Sequence, residues 1–167
     1  MNIITDFLRK YVPGYEHCTI KTGASTLGIR ESRRFSGKYV MNISDLREAR
    51  RFPDVVVHKA QFVVDIHNPV GGGQANGIAE YVDAYDIPWR SLVPQKMENL
   101  ILAGRCISGT HEAMASYRVM AIAMAIGEAA GIGAALAIDH DVTPENLDVK
   151  YIQKALMDKG AVLFDEK

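Results

Sequence analysis

The 167 residues of this chain are 48% hydrophobic and 23% charged, the size and make-up of one ordinary globular domain and not of a disordered segment or a pair of domains. Its 19 basic and 20 acidic side chains leave a formal net charge of -1, so there is no electrostatic case for nucleic acid, and no Lys/Arg-dense block suggests a polybasic membrane patch. Small molecules or other proteins are the expected partners.

Cys18 and Cys106 stand far apart with no Cys-x-x-Cys pair. That pattern signals neither a structural zinc site nor a disulfide framework and makes a reducing compartment, the cytoplasm, the expected location. Asp6, Arg9 and Lys10 interrupt the apolar residues of the first stretch, unlike a secretory signal peptide. Ile3, Ile4, Phe7, Leu8 and Tyr11 recur at helical spacing before Pro13-Gly14, which predicts a short amphipathic helix over Asn2 to Tyr11.

From Cys18 to Ile29 the β-branched residues Thr19, Ile20, Thr22, Thr26 and Ile29 predict a strand. Arg30, Glu31, Arg33 and Arg34 follow it, either as guanidinium groups placed to hold a carboxylate or phosphate or as a solvated ion-pair cluster. A second strand is predicted over Phe35 to Ile43, then a helix over Asp45 to Arg51 capped by Ser44. Val55 to Val57 and Phe62 to Ile66 read as strands broken near Lys59, with Asp65 and His67 on one face.

Asp65, His67, His58 and His111 lack the spacing of a metal site, so no metal is expected. The glycine-rich run Gly71 to Gly77 is read as a flexible turn, since no long helix follows it as in a phosphate loop. The proline-rich stretch from Tyr81 to Pro94 is read as an extended connector.

The most informative stretch is Asn99 to Ile138. Leu100 to Ala103 is apolar throughout and predicts a central strand covered on both faces, ending at Gly104. A polar loop with Ser108, Thr110, His111, Glu112 and Ser116 precedes a helix rich in Ala and Gly. That helix is long enough to span a bilayer, but Glu128 near its middle and its small residues argue for a helix buried in protein. Arg118 falls at its expected first turn, where a cation is unfavourable by about 0.3–1 kcal/mol. It therefore needs a partner, either Glu112 or an anion bound jointly with the N–H groups of Val119 and Met120. A last helix is predicted over Val149 to Lys159, capped by Asp148 and ended by Gly160, with a possible edge strand over Ala161 to Phe164.

Four strings, Gly-Ile-Arg-Glu-Ser-Arg-Arg, Asp-Ile-His-Asn-Pro, Tyr-Asp-Ile-Pro-Trp-Arg-Ser-Leu-Val-Pro and Asn-Leu-Ile-Leu-Ala-Gly-Arg-Cys-Ile-Ser-Gly-Thr-His-Glu-Ala, are followed here by Tyr-Arg-Val-Met. In this order and spacing the chain from about Gly28 onward resembles the carboxyl-terminal part of FAD-dependent oxidoreductases of the two-dinucleotide-binding-domain type. The resemblance implies that Gly104 and Arg105 reach the ribityl and pyrophosphate of FAD and that Arg118, Val119 and Met120, with Ser116 nearby, face the flavin. A helix N-terminus there would stabilise the negative charge of the reduced ring. It further implies His111 and Glu112 as candidates for proton transfer or substrate orientation and Arg30 for gripping a substrate carboxylate.

Such enzymes hold the ADP moiety with an amino-terminal Gly-x-Gly-x-x-Gly after the first strand, and this sequence has no such unit. The expected architecture is therefore α+β. A β-rich substrate region spans about 18–95, a flavin-facing strand-loop-helix about 96–140 and a terminal helix and tail 141–167, all as one carboxyl-terminal segment whose Rossmann half is absent. Weak or absent FAD binding by this chain alone and association with the missing half or with itself are the corollaries. The alternative is a non-catalytic assembly module derived from a flavoprotein. A hydrolase built on Ser108 and His111 lacks a nucleophile elbow and an assigned acid.

Overall fold

The computed structural model describes residues 1–67 and 79–165, and its contacts divide the chain into two units, 1–30 and 31–167. The glycine-rich run Gly71 to Gly77 lies outside the described residues.

In the first unit the predicted helix forms as α1, Asn2–Tyr11, with Phe7 and Tyr11 rings 5.1 Å apart and Arg9 and Lys10 in its last turn, where the dipole favours cations. Arg9 Nε donates to the Cys18 carbonyl at 2.9 Å. The strand expected from Cys18 to Ile29 does not form, because its β-branched residues have no neighbouring strand to complete a ladder.

The second unit is built on α2 (Ile43–Arg47), β1 (Val55–Ala60), β2 (Tyr85–Pro88), α3 (His111–Tyr117), α4 (Met120–Asp139) and α5 (Val149–Asp158). This mixture of helices with a small sheet is α+β. The sheet is antiparallel, pairing Val55 with Pro88, Val57 with Ile87 and Ala60 with Tyr85. The stretch read as a connector thus supplies a strand, with Pro88 tolerated because it closes that strand. Lys59 has φ +52°, and the ladder is irregular between Val57 and Ala60, which explains the sequence break there.

The segment Phe35 to Ile43, expected as a strand, weaves between two neighbours instead of following one. Lys38 and Tyr39 N–H groups donate to Val93 and Arg90, whereas those of Phe35 and Met41 donate to Cys106 and Ser108. α2 starts earlier than expected because Asn42, not Ser44, is its cap. The Asn42 side chain accepts from the Asp45 N–H while the Asp45 carboxylate accepts from the Asn42 N–H.

Leu100 to Ala103 is extended but makes no ladder. Leu102 N–H donates to Leu92 at 2.8 Å, and only Leu102 is fully buried while Ala103 is exposed, so the expectation of a strand covered on both faces is corrected. α4 packs one face, including Ile122, Ile126, Ala129, Gly133 and Ala137, against β1 and α5. Gly133 is required there, since a Cβ would lie 2.4 Å from the Trp89 ring. The opposite face carries Met120, Met124 and Ile138 at 84%, 74% and 79% exposure. By length and composition α4 could cross a membrane, with 33% of its most apolar window buried in the chain. α5 begins at the predicted Asp148 cap and ends before Gly160, at φ +95°. The tail after it buries Leu163 but forms no edge strand.

Candidate functional site

Leu102, anchored through Leu92, delivers the chain to the Gly104–Cys106 turn, a single 3-10 turn packed against α4. Gly104 has φ +67°, a conformation that favours glycine, and a Cβ there would meet nothing within 4 Å. Its backbone is therefore open to close approach. Arg105 beside it is exposed.

Beyond the turn, the expected polar loop is largely the helix α3. Thr110 caps it by accepting the Ala113 N–H, which turns His111 and Glu112 outward on the first turn. The Glu112 carboxyl is held below the usual carboxylate range, chiefly by its own backbone N–H and then by the Thr110 hydroxyl. It is thus an ionised acceptor near neutral pH.

His111 Nδ1 lies 2.8 Å from Glu31 Oε1. The same Glu31 oxygen is paired with Arg34 Nη1, and Arg34 Nε donates to the Gly109 carbonyl at 3.0 Å. Glu31 and Arg34 are thereby folded back onto the start of α3. Arg30 is exposed and closes the first unit, whereas His111 and Glu112 belong to the second.

The junction of α3 and α4 corrects the expectation for Arg118. It is the C-cap of α3, not the first turn of α4, so its charge stands where the α3 dipole favours a cation. Its partner is not Glu112: Arg118 Nη2 donates to the Asp65 carbonyl at 2.6 Å, with the Asp65 carboxylate 3.8 Å away. That carboxylate also faces His67 Nε2 at 3.0 Å, so the predicted shared face of Asp65 and His67 is realised. Ser116 is fully buried, donating to the Phe62 carbonyl at 2.6 Å and accepting from Tyr85 at 2.8 Å. Val119 is the N-cap of α4 and supplies no side-chain hydrogen bond, so the first N–H groups of this 20-residue helix are uncapped by side chains.

The sequence offers Arg34 either as a carboxylate or phosphate grip or, with Glu31, as part of an ion-pair cluster, and does not point to Asp65 as a partner of Arg118. The i, i+3 spacing of Glu31 and Arg34 was the available signal for their pairing. Among the described residues no group of three His, Cys, Asp or Glu side chains could hold a metal ion.

The family model described as FAD dependent oxidoreductase matches residues 2–156. This chain belongs to that family, and the match extends through α1, ahead of Gly28 where the sequence resemblance begins. Comparisons with curated proteins and with solved structures found no match.

Proposed function

We propose that this chain is the flavin-facing, carboxyl-terminal portion of an FAD-dependent oxidoreductase acting on a small organic substrate, inactive without an amino-terminal FAD-binding half. The observation that carries this reading, beside the family match, is that the open Gly104 turn packs against α4, a helix whose N-terminus has no side-chain cap. A positive-φ glycine with free space and a helix N-terminus without side-chain caps are the features a pyrophosphate and a flavin edge need. Gly104, Arg105, Val119 and Met120 would hold the cofactor. Ser116 and Arg118 support the site from behind, through Tyr85 and Phe62 and through Asp65. When bound, FAD supplies the two-electron chemistry.

His111 and Glu112 stand exposed on the first turn of α3 as the groups that orient substrate or move its proton. The exposed apolar face of α4 supports a packing partner, the missing half or a second copy. The same face is what favours the alternative, a non-catalytic assembly module. The cytoplasm is the proposed compartment.

Titrating FAD into this chain alone and into the chain joined to a dinucleotide-binding half tests the proposal. The first is expected to bind weakly or not at all and the second to become yellow and reducible by substrate. A joined protein that folds but stays colourless would refute the flavin reading.

A further inference from the structure

Glu31 does more than pair with its neighbouring arginines. Its carboxylate oxygen is shared between Arg34 and His111, two residues far apart in the chain. Arg34 is itself tied to the Gly109 carbonyl, and the Phe35 and Met41 N–H groups are bonded to Cys106 and Ser108. The backbone carrying Glu31 is therefore stitched to the backbone leading into α3.

A carboxylate accepts and does not donate, so the ring nitrogen facing it carries the hydrogen. At 2.8 Å the Nδ1–H of His111 donates to Glu31, which places the lone pair of the neutral ring on Nε2. The His111 side chain is 49% exposed, and among the described residues Nε2 has no hydrogen-bond partner. We propose that Glu31 is the positioning residue of His111, holding its ring in the Nδ1–H tautomer so that Nε2 is the atom presented to substrate. This rests on the reading that His111 serves proton transfer or substrate orientation. Arg34 completes the arrangement by fixing the Glu31 carboxylate.

The test is imidazole nitrogen NMR on the full chain, with His111 identified among five histidines by the signal lost in His111→Gln. Neutral His111 is expected as the Nδ1–H tautomer. In Glu31→Leu it is expected to shift toward the Nε2–H form, while Glu31→Gln, which keeps an acceptor oxygen, retains Nδ1–H. An Nε2–H ring in the parent chain, or unchanged tautomer populations in a folded Glu31→Leu chain, would overturn the proposal. If Glu31→Leu does not fold, the tautomer of the parent chain and of Glu31→Gln still decides it.

In the chain joined to a dinucleotide-binding half and loaded with FAD, Glu31→Leu is expected to lower kcat at least about tenfold with little change in KM, and to have no further effect in a His111→Ala background. Should the NMR result hold while His111→Ala leaves turnover intact, the tautomer assignment stands and the role of His111 in the reaction fails.

Discussion

Arg118 closes α3 by reaching across to the Asp65 backbone carbonyl, 2.6 Å from Nη2. One side chain thus ends a helix, meets a negative dipole end and ties the 62–67 segment to the entrance of α4. Arg118→Met removes a charge-assisted hydrogen bond from a side chain only 12% exposed. A loss of about 1.5–3 kcal/mol is expected in urea unfolding, and Arg118→Lys should recover only part of it, since an ammonium lacks the planar fork. An unchanged unfolding midpoint in Arg118→Met would show that the bond contributes nothing net.

The same residue shows what a sequence can and cannot disclose. α1, α4 and α5 were legible because their signals are local: apolar spacing, the Asp148 cap, Gly160 after the last turn. The sequence puts the cation at 118 one helix too far on because the polar run around Thr110 conceals a cap: Thr110 lies three residues before Ala113, whose N–H it accepts. Strands are the least legible elements. Whether 35–43 or 100–103 pairs depends on neighbours far away in the chain, and those neighbours alternate or are missing from the ladder. The Glu31–His111 contact spans 80 residues, and no spacing rule encodes it.

Tyr85 and Ser116 set an alkaline limit. Burial pushes the Tyr85 phenol up to about 12, above its ordinary value of about 10, so the folded state holds the proton more tightly than the unfolded chain. Its contribution to stability is complete below about pH 10 and is lost as pH rises from there through the folded value. Tyr117, raised likewise by burial, adds to the loss. Tyr85→Phe should cost about 0.5–1.5 kcal/mol at neutral pH, for the hydrogen bond to Ser116, yet flatten the decline above pH 10. An identical alkaline slope in the variant would rule out this titration as its source.

Two glycines of α4 should respond in opposite directions. At Gly133 a Cβ would sit 2.4 and 2.9 Å from two Trp89 ring carbons, and Trp89 is only 4% exposed. Gly133→Ala gains about 1 kcal/mol of helix propensity but forces the buried indole to move, at about 1–3 kcal/mol, so a net loss is expected. At Gly131 a Cβ would meet nothing within 4 Å, and Gly131→Ala should stabilise by about 0.4–1 kcal/mol. Thermal unfolding of the two variants side by side reads the difference, and equal shifts would mean that α4 does not press on Trp89 as described.

Asp86 is the polar centre on which the β1–β2 hairpin is hung. It is 2% exposed, and its carboxylate accepts from Arg51 Nη1 at 3.1 Å, His58 Nδ1 at 2.9 Å and the Lys59 N–H at 3.3 Å. The Lys59 bond also accounts for that residue's φ of +52°, because the N–H must turn inward to reach the carboxylate. Asp86→Ala would leave buried His58 and the Lys59 N–H facing an empty position, while Arg51, 42% exposed, can turn to water. Leaving buried donors without a partner costs about 1–3 kcal/mol, which should appear as a clear fall in the urea midpoint. Asp86→Asn keeps an acceptor oxygen and is expected to lose less. In the parent chain Lys59→Gly should regain about 1 kcal/mol or more of the backbone strain, and less in the Asp86→Ala background, where the backbone can relax. Equal gains in both would mean that the left-handed turn is held by something other than Asp86.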